Sequence, residues 1–148
     1  MIALRNFIKD DALSLQKIRY SDLSVEQIEH LIFEWNQKQV NHKYFEMFAI
    51  VLDTSIIGTI SLYQHTTEVI SIGPEIFEPY RQKGFAKEAM RHAFHIARKK
   101  GYKMVSQQIR TNNTASIALH SSLGFETNGI TYTNAKGNQV AIYLKCLI

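Results

Sequence analysis

The chain has 148 residues, 45% of them hydrophobic, which suits one globular domain spanning residues 1–148 with a core of its own. The longest apolar run, Met47 to Leu52, is far short of the roughly 18 residues that a membrane span demands, and the N-terminus turns charged before a signal-peptide hydrophobic region develops, so no membrane partner is expected and the cytoplasm is the expected compartment. The net charge is only +4, and Cys146, the single cysteine, cannot form an internal disulfide.

"IALRNF" at the N-terminus reads as a short strand, and a helix is expected from about Lys9, where Ala12, Leu15 and Ile18 recur at helical spacing. A second helix is expected near Val25 to Gln39. The runs "FEMFAIVL", "SIIGTISLY" and "TEVISIG", separated by short turns, then read as an antiparallel meander. Pro74, just after the last of these, cannot donate a ladder hydrogen bond, and the expectation is a bulge. From Gly84 to Lys100, Ala86, Ala89, Met90, Ala93, Phe94 and Ala97 follow the i, i+3, i+4, i+7 rule, with Gly101 placed to cap the C-terminus. "YKMVSQQI" is a strand and "NTASIALHSSLG" a helix closed by Gly124. "GFETNGITYT" and "NQVAIYLKCL" are expected to pair as final strands, with Cys146 buried in the second. This order predicts a mixed α+β fold with about seven strands, mostly antiparallel, and helices on both faces.

The charge is uneven. Arg81 to Lys103 holds eight basic residues against Glu88 alone, leaving the rest of the chain acidic. Gly84 lies at the mouth of the helix within that segment. The first turn of a helix has unpaired N–H groups and the positive end of the dipole, and a glycine there removes the Cβ that would obstruct an anion. The loop has no second glycine at Walker A or GxGxxG spacing, so nucleotide hydrolysis and dinucleotide binding lose support.

Arg81-x-x-Gly84-x-Ala86, after a strand and opening a helix, resembles the pyrophosphate loop of the GNAT superfamily of acetyl-CoA-dependent N-acetyltransferases. "RTNNTASIALHSSLGF", Arg110 to Phe125, resembles the later strand-helix unit of the same family. The resemblance implies a GNAT-like sheet splayed at the cofactor cleft, with Gln82, Lys83, Gly84, Phe85, Ala86 and Lys87 offering amides to the acetyl-CoA pyrophosphate and Pro79 stiffening the turn before them. It implies further that Ile76 hydrogen-bonds the pantetheine arm or polarises the thioester, and that Asn113 and Ser116 contact the cofactor. Asn113, Ser116 and His120 share one helix face, with Ala115, Ala118 and Leu119 on the other. His120 stands where the family more often has a tyrosine, which makes it the candidate general acid; a histidinium, pKa near ~6.5, could protonate a thiolate of pKa near ~8.5.

The position matching a glutamate found in some family members is Gln108, which cannot accept a proton, so Glu75 is the candidate general base. Trp35, His30, His42 and Tyr44 are candidates for the acceptor pocket. His92 and His95 lack a nearby carboxylate or cysteine, and no metal is expected. The implied activity is transfer of acetyl from acetyl-CoA to a primary amine of a small molecule or of a peptide or protein by direct attack, with no acyl-enzyme on Cys146. The rival readings are a catalytically silent acetyl-CoA-binding regulatory module and, less favoured because the basic segment has no aromatic stacking series, a nucleic-acid-binding domain. The C-terminal strand, if exposed, could pair across a homodimer.

Overall fold

The computed structural model describes residues 1–148. β1 (Ile2–Asn6) leads through a single 3₁₀ turn, Lys9–Asp11, into α1 (Ala12–Ile18) and α2 (Val25–Trp35). A two-residue β2 (Gln39–Val40) precedes the meander of β3 (Lys43–Leu52), β4 (Ser55–Gln64) and β5 (Val69–Ile76). α3 (Phe85–Lys99), β6 (Met104–Arg110), α4 (Thr114–Ser122), β7 (Thr131–Thr133) and β8 (Gln139–Cys146) complete the order. The strands form the expected mostly antiparallel mixed sheet, in the order β1-β3-β4-β5-β6-β8-β7 with β2 beside β3. Only β5 and β6 run parallel. No helix is long and apolar enough to cross a membrane.

Alternation along the meander divides the core between the two faces. Phe48 and Ile50 of β3 join Ile60, Leu62, Ile70 and Ile72 against one face of α3, whose Ala89, Ala93 and Ala97 let the helix approach closely around Met90 and Phe94. Burying those two large side chains contributes about 1.5–3 kcal/mol each. On the opposite face Ala49 and Phe77 meet Leu15, Ile28 and Ile32 of α1 and α2.

The turn into α1 is held by Asp11, which accepts the Ile8 N–H at 2.8 Å and two guanidinium N–H groups of Arg5 at 2.8 and 3.0 Å. Burial pushes the Asp11 carboxyl up, but the Arg5 guanidinium and the Ile8 amide more than offset this and leave it below its ordinary value. A depressed carboxylate pKa means stabilisation that is present above the unfolded value, near ~4, and lost as pH falls through and below it. Asp11→Asn is therefore expected to cost about 1 kcal/mol at pH 7 and progressively less towards pH 3, a convergence that denaturant melts at the two pH values would reveal or exclude.

Several expectations need correction. α2 ends at Trp35 rather than near Gln39, because Asn36 caps it and Lys38 adopts a left-handed φ of 57° that turns the chain into β2. The penultimate strand shrinks to Thr131–Thr133 plus a lone bridge between Glu126 and Leu144, since the chain between these points leaves the sheet. β8 lies between β6 and β7, but β7 covers it only at Gln139–Ala141, with one further bridge at Leu144, so its outer edge is covered in part. Cys146 is exposed rather than buried; Leu147, one residue on, enters the core in its place.

Candidate functional site

β5 and β6 are paired only at Val69/Met104 and Ile70/Val105. Beyond that point β5 stays on β4 as far as Ile76, and β6 stays on β8 as far as Arg110, so the two inner edges separate. The opening is a cleft of about 350 Å³, with Tyr63, Ser71, Pro74, Gln107, Ser116 and His120 among its walls.

Pro74 sits in regular register opposite Ile60, so the expected bulge is absent. Phe77 N–H bonds to Ile57 on β4, whereas Ile72 N–H points the other way to Gln107 on β6. The two-residue period then directs Pro74 and Ile76 towards the cleft too, where a missing N–H costs no ladder bond. The Ile76 carbonyl accepts from Arg81 Nε at 2.8 Å, which ties the basic loop to the strand end and leaves the Ile76 N–H on the same open edge. Gly58 lies directly behind: a Cβ there would stand 2.2 Å from the Glu75 carbonyl oxygen.

The loop after β5 passes through a 3₁₀ turn, Glu78–Tyr80, containing Pro79. Gln82 has φ +62° and Gly84 φ +82°, two left-handed residues within three. The six backbone N–H groups from Gln82 to Lys87 have no hydrogen-bond partner in the protein; the first N–H of α3 to be used is that of Glu88, to Gly84 O. The Glu88 carboxylate turns away and accepts the Ile2 N–H at 2.9 Å, so the one acidic side chain of the first turn does not face the loop. A Cβ built on Gly84 meets nothing within 4 Å, an open approach to those amides. Partial positive charge, free donors and open space fit a pyrophosphate.

The basic segment does not act as one surface. Arg98 is spent on the Leu147 carbonyl, Lys100 lies over the Tyr44 ring, and Lys103 pairs with Glu68. Lys83 and Lys87 lie around the helix mouth, with Arg81 held beside them through Nε by the Ile76 carbonyl.

The helix motif meets the expected packing only in part, since Leu119 packs against the core but its two alanines do not. Ala115 and Ala118 are exposed, whereas His120, on the polar stripe, is 4% exposed. Asn113 caps α4 by accepting the Ser116 N–H at 3.1 Å. His120 Nδ1 lies 2.7 Å from the Ser116 carbonyl, which can only accept, so Nδ1 carries the proton; Nε2 lies 3.1 Å from the Gln107 side-chain nitrogen and is the acceptor there. Burial pushes the ring pKa below its ordinary value, and the bond to Ser116 offsets this only in part. The histidinium that the general-acid expectation requires is therefore disfavoured, and the neutral ring has no proton at Nε2 to give.

Glu75 projects from the other face of β5, towards α1, and binds Arg19 Nε at 2.7 Å. Gln108 shares the side of the sheet opposite His120, donating to Tyr132 Oη at 2.8 Å and accepting from Asn134 at 2.8 Å. The aromatic acceptor set does not assemble. Trp35 packs on Phe7, and Tyr44 stacks on Tyr102 beyond the C-terminal end of α3, about 22 Å of helix away from Gly84. Sequence reasoning missed Gln107 and Gly58. In Val105-x-Gln107-x-Ile109 a polar residue occupies an inward position between two apolar ones, a signal that was available.

A sheet parted over free backbone groups, with a glycine-opened helix mouth just beyond the parting strand, defines a class of protein whose cleft has the shape and donors to fit an extended phosphorylated ligand. Residues 2–126 match the family model of the GNAT acetyltransferase domain, and the chain belongs to that family. It is 32% identical over 99 residues to YokL, an uncharacterized SPbeta prophage-derived N-acetyltransferase of Bacillus subtilis (strain 168), an alignment covering 65% of this chain and 56% of that relative, so the match spans little more than half the relative's length. RimL, a ribosomal L7/L12 alpha-N-protein acetyltransferase solved with coenzyme A, superposes with TM-score 0.84 at 14% identity over 98% of this chain and 93% of its own. The microcin C7 self-immunity acetyltransferase MccE, solved with acetyl-CoA and AMP, superposes with TM-score 0.77 at 19% identity over 98% and 92%. At these identities the likeness is one of fold.

Proposed function

We propose that residues 1–148 form a single acetyltransferase domain that moves an acetyl group from acetyl-CoA to a primary amine of a small molecule or of a peptide or protein by direct attack within a ternary complex. The observation that carries this reading is the run of six unpartnered amides at Gln82–Lys87, one 3₁₀ turn beyond the parted edge of β5. Those amides, with Lys83 and Lys87, hold the pyrophosphate; Ile76 donates its N–H to the arm or the thioester carbonyl, where a fixed donor stabilises developing negative charge. Asn113 and Ser116, at the head of α4, border the arm from the β6 side. Acetyl-CoA supplies the activated acyl group, and no metal takes part. The single unpaired cysteine accords with a cytoplasmic setting.

The amine approaches from the face of α1. There Glu75 attracts an ammonium and takes its proton, directly or through water, in exchange with Arg19. Gln108 also borders an adjoining hollow of about 370 Å³ with Arg110, Asn134 and Lys136, which gives an acceptor room beside the cleft. Glu75→Gln is expected to lower kcat/KM for an amine by about 100-fold while leaving acetyl-CoA affinity unchanged. Release of the CoA thiol with a panel of small amines and peptide N-termini tests the whole reading. Acetyl-CoA binding with no turnover on any amine would favour a silent binding module instead, an outcome consistent with a neutral His120 and an ion-paired Glu75.

A further inference from the structure

The β5–β6 ladder does not simply stop. After the last main-chain rung at Ile70/Val105, two side chains supply the next connections. Ser71 Oγ donates to the Ser106 carbonyl at 2.6 Å, and the Gln107 amide meets Ile72 at two points, accepting its N–H at 2.9 Å and donating to its carbonyl. A side-chain amide thus stands where a neighbouring peptide would, at the greater separation that a side chain imposes. The remaining Gln107 N–H goes to His120 Nε2, so the one acceptor and both donors of this buried amide are used. Turning the amide over would set its NH₂ against the Ile72 N–H and its oxygen against both the Ile72 carbonyl and the bare Nε2, so Ile72 on one side and neutral His120, anchored through Nδ1 to Ser116, on the other together permit only one orientation.

We infer that Gln107 is a spacer that holds β5 and β6 apart at the entrance of the cleft, and that His120 is the positioning residue that fixes it. The inference rests on the acetyl-CoA reading. Without the spacer, Ile72 is free to form main-chain rungs with β6, and the ladder zips further along the cleft. The pantetheine arm then loses its channel, while the helix mouth at Gly84, fixed by the packing of α3, keeps its donors. His120 in this role is an acceptor, so a glutamine, which carries an oxygen at a similar reach, replaces it, whereas a leucine of similar bulk does not.

The test is calorimetric titration of wild type, Gln107→Met, His120→Leu and His120→Gln with two probes: acetyl-CoA, and adenosine 3′-phosphate 5′-diphosphate, which carries the nucleotide and lacks the arm. Gln107→Met and His120→Leu are expected to weaken acetyl-CoA about 10-fold and the nucleotide less than 2-fold, while His120→Gln stays within about 3-fold of wild type for both. Nucleotide binding also reports that each variant is folded. Equal loss of both probes, no loss of either, or a His120→Gln variant as impaired as His120→Leu would overturn the spacer and leave the cofactor reading standing. A folded wild type that binds neither probe overturns the cofactor reading and the spacer with it.

Discussion

Gly84→Glu is expected to weaken acetyl-CoA binding by at least about 100-fold, or ~2.7 kcal/mol, while Gly101→Glu at the other end of the same helix leaves it unchanged. The pair separates two effects that a single variant confounds. Both glycines are left-handed, at φ +82° and +92°, and both face open space, so each substitution carries a similar backbone strain of about 1–2 kcal/mol. Only Gly84 adjoins the six unpartnered amides, where a carboxylate repels the pyrophosphate and takes its donors. Thermal melts should move alike for the two variants while titrations diverge. Similar affinities for the two would remove the helix mouth from the cofactor site.

Gly58→Ala is expected to destabilise the protein by at least about 2 kcal/mol, lowering Tm by roughly 6–10 °C, because the new Cβ meets backbone rather than a side chain that can rotate away. Its nearest neighbours are the Glu75 carbonyl oxygen at 2.2 Å and Ile76 Cα at 3.1 Å, so β5 must move off β4, carrying Glu75 and Ile76 into the cleft. Acetyl-CoA affinity should fall together with stability. Gly73→Ala is the control: its Cβ would meet only Ser61 Oγ at 3.1 Å, a hydroxyl free to change rotamer, and its melting temperature should stay within about 2 °C of wild type. Denaturation and titration of the two variants together would show whether the close β4–β5 contact sets the position of the cleft wall. Wild-type stability in Gly58→Ala would refute that.

The sequence alone determined what depends on near neighbours in the chain. The 3.6-residue period of Ala89, Met90, Ala93, Phe94 and Ala97 specified α3, and Gly84 before it marked the helix mouth, because propensity, capping and left-handed backbone are local properties. The meander followed from alternation and short turns. Tertiary structure decided where strands part, since the loss of pairing between β5 and β6 depends on residues some 35 positions apart. It decided which face of α4 is inner, because Ala115 and Ser116 differ little in size, and the Ser116 carbonyl and the Gln107 amide together offset the cost of burying His120. Pro74 was legible as an interruption but not as a regular strand residue at an open edge, and Cys146 was legible as apolar but not as exposed. Each of these outcomes turns on what lies across the sheet, and burial of a polar group is settled by partners that only the folded chain assembles.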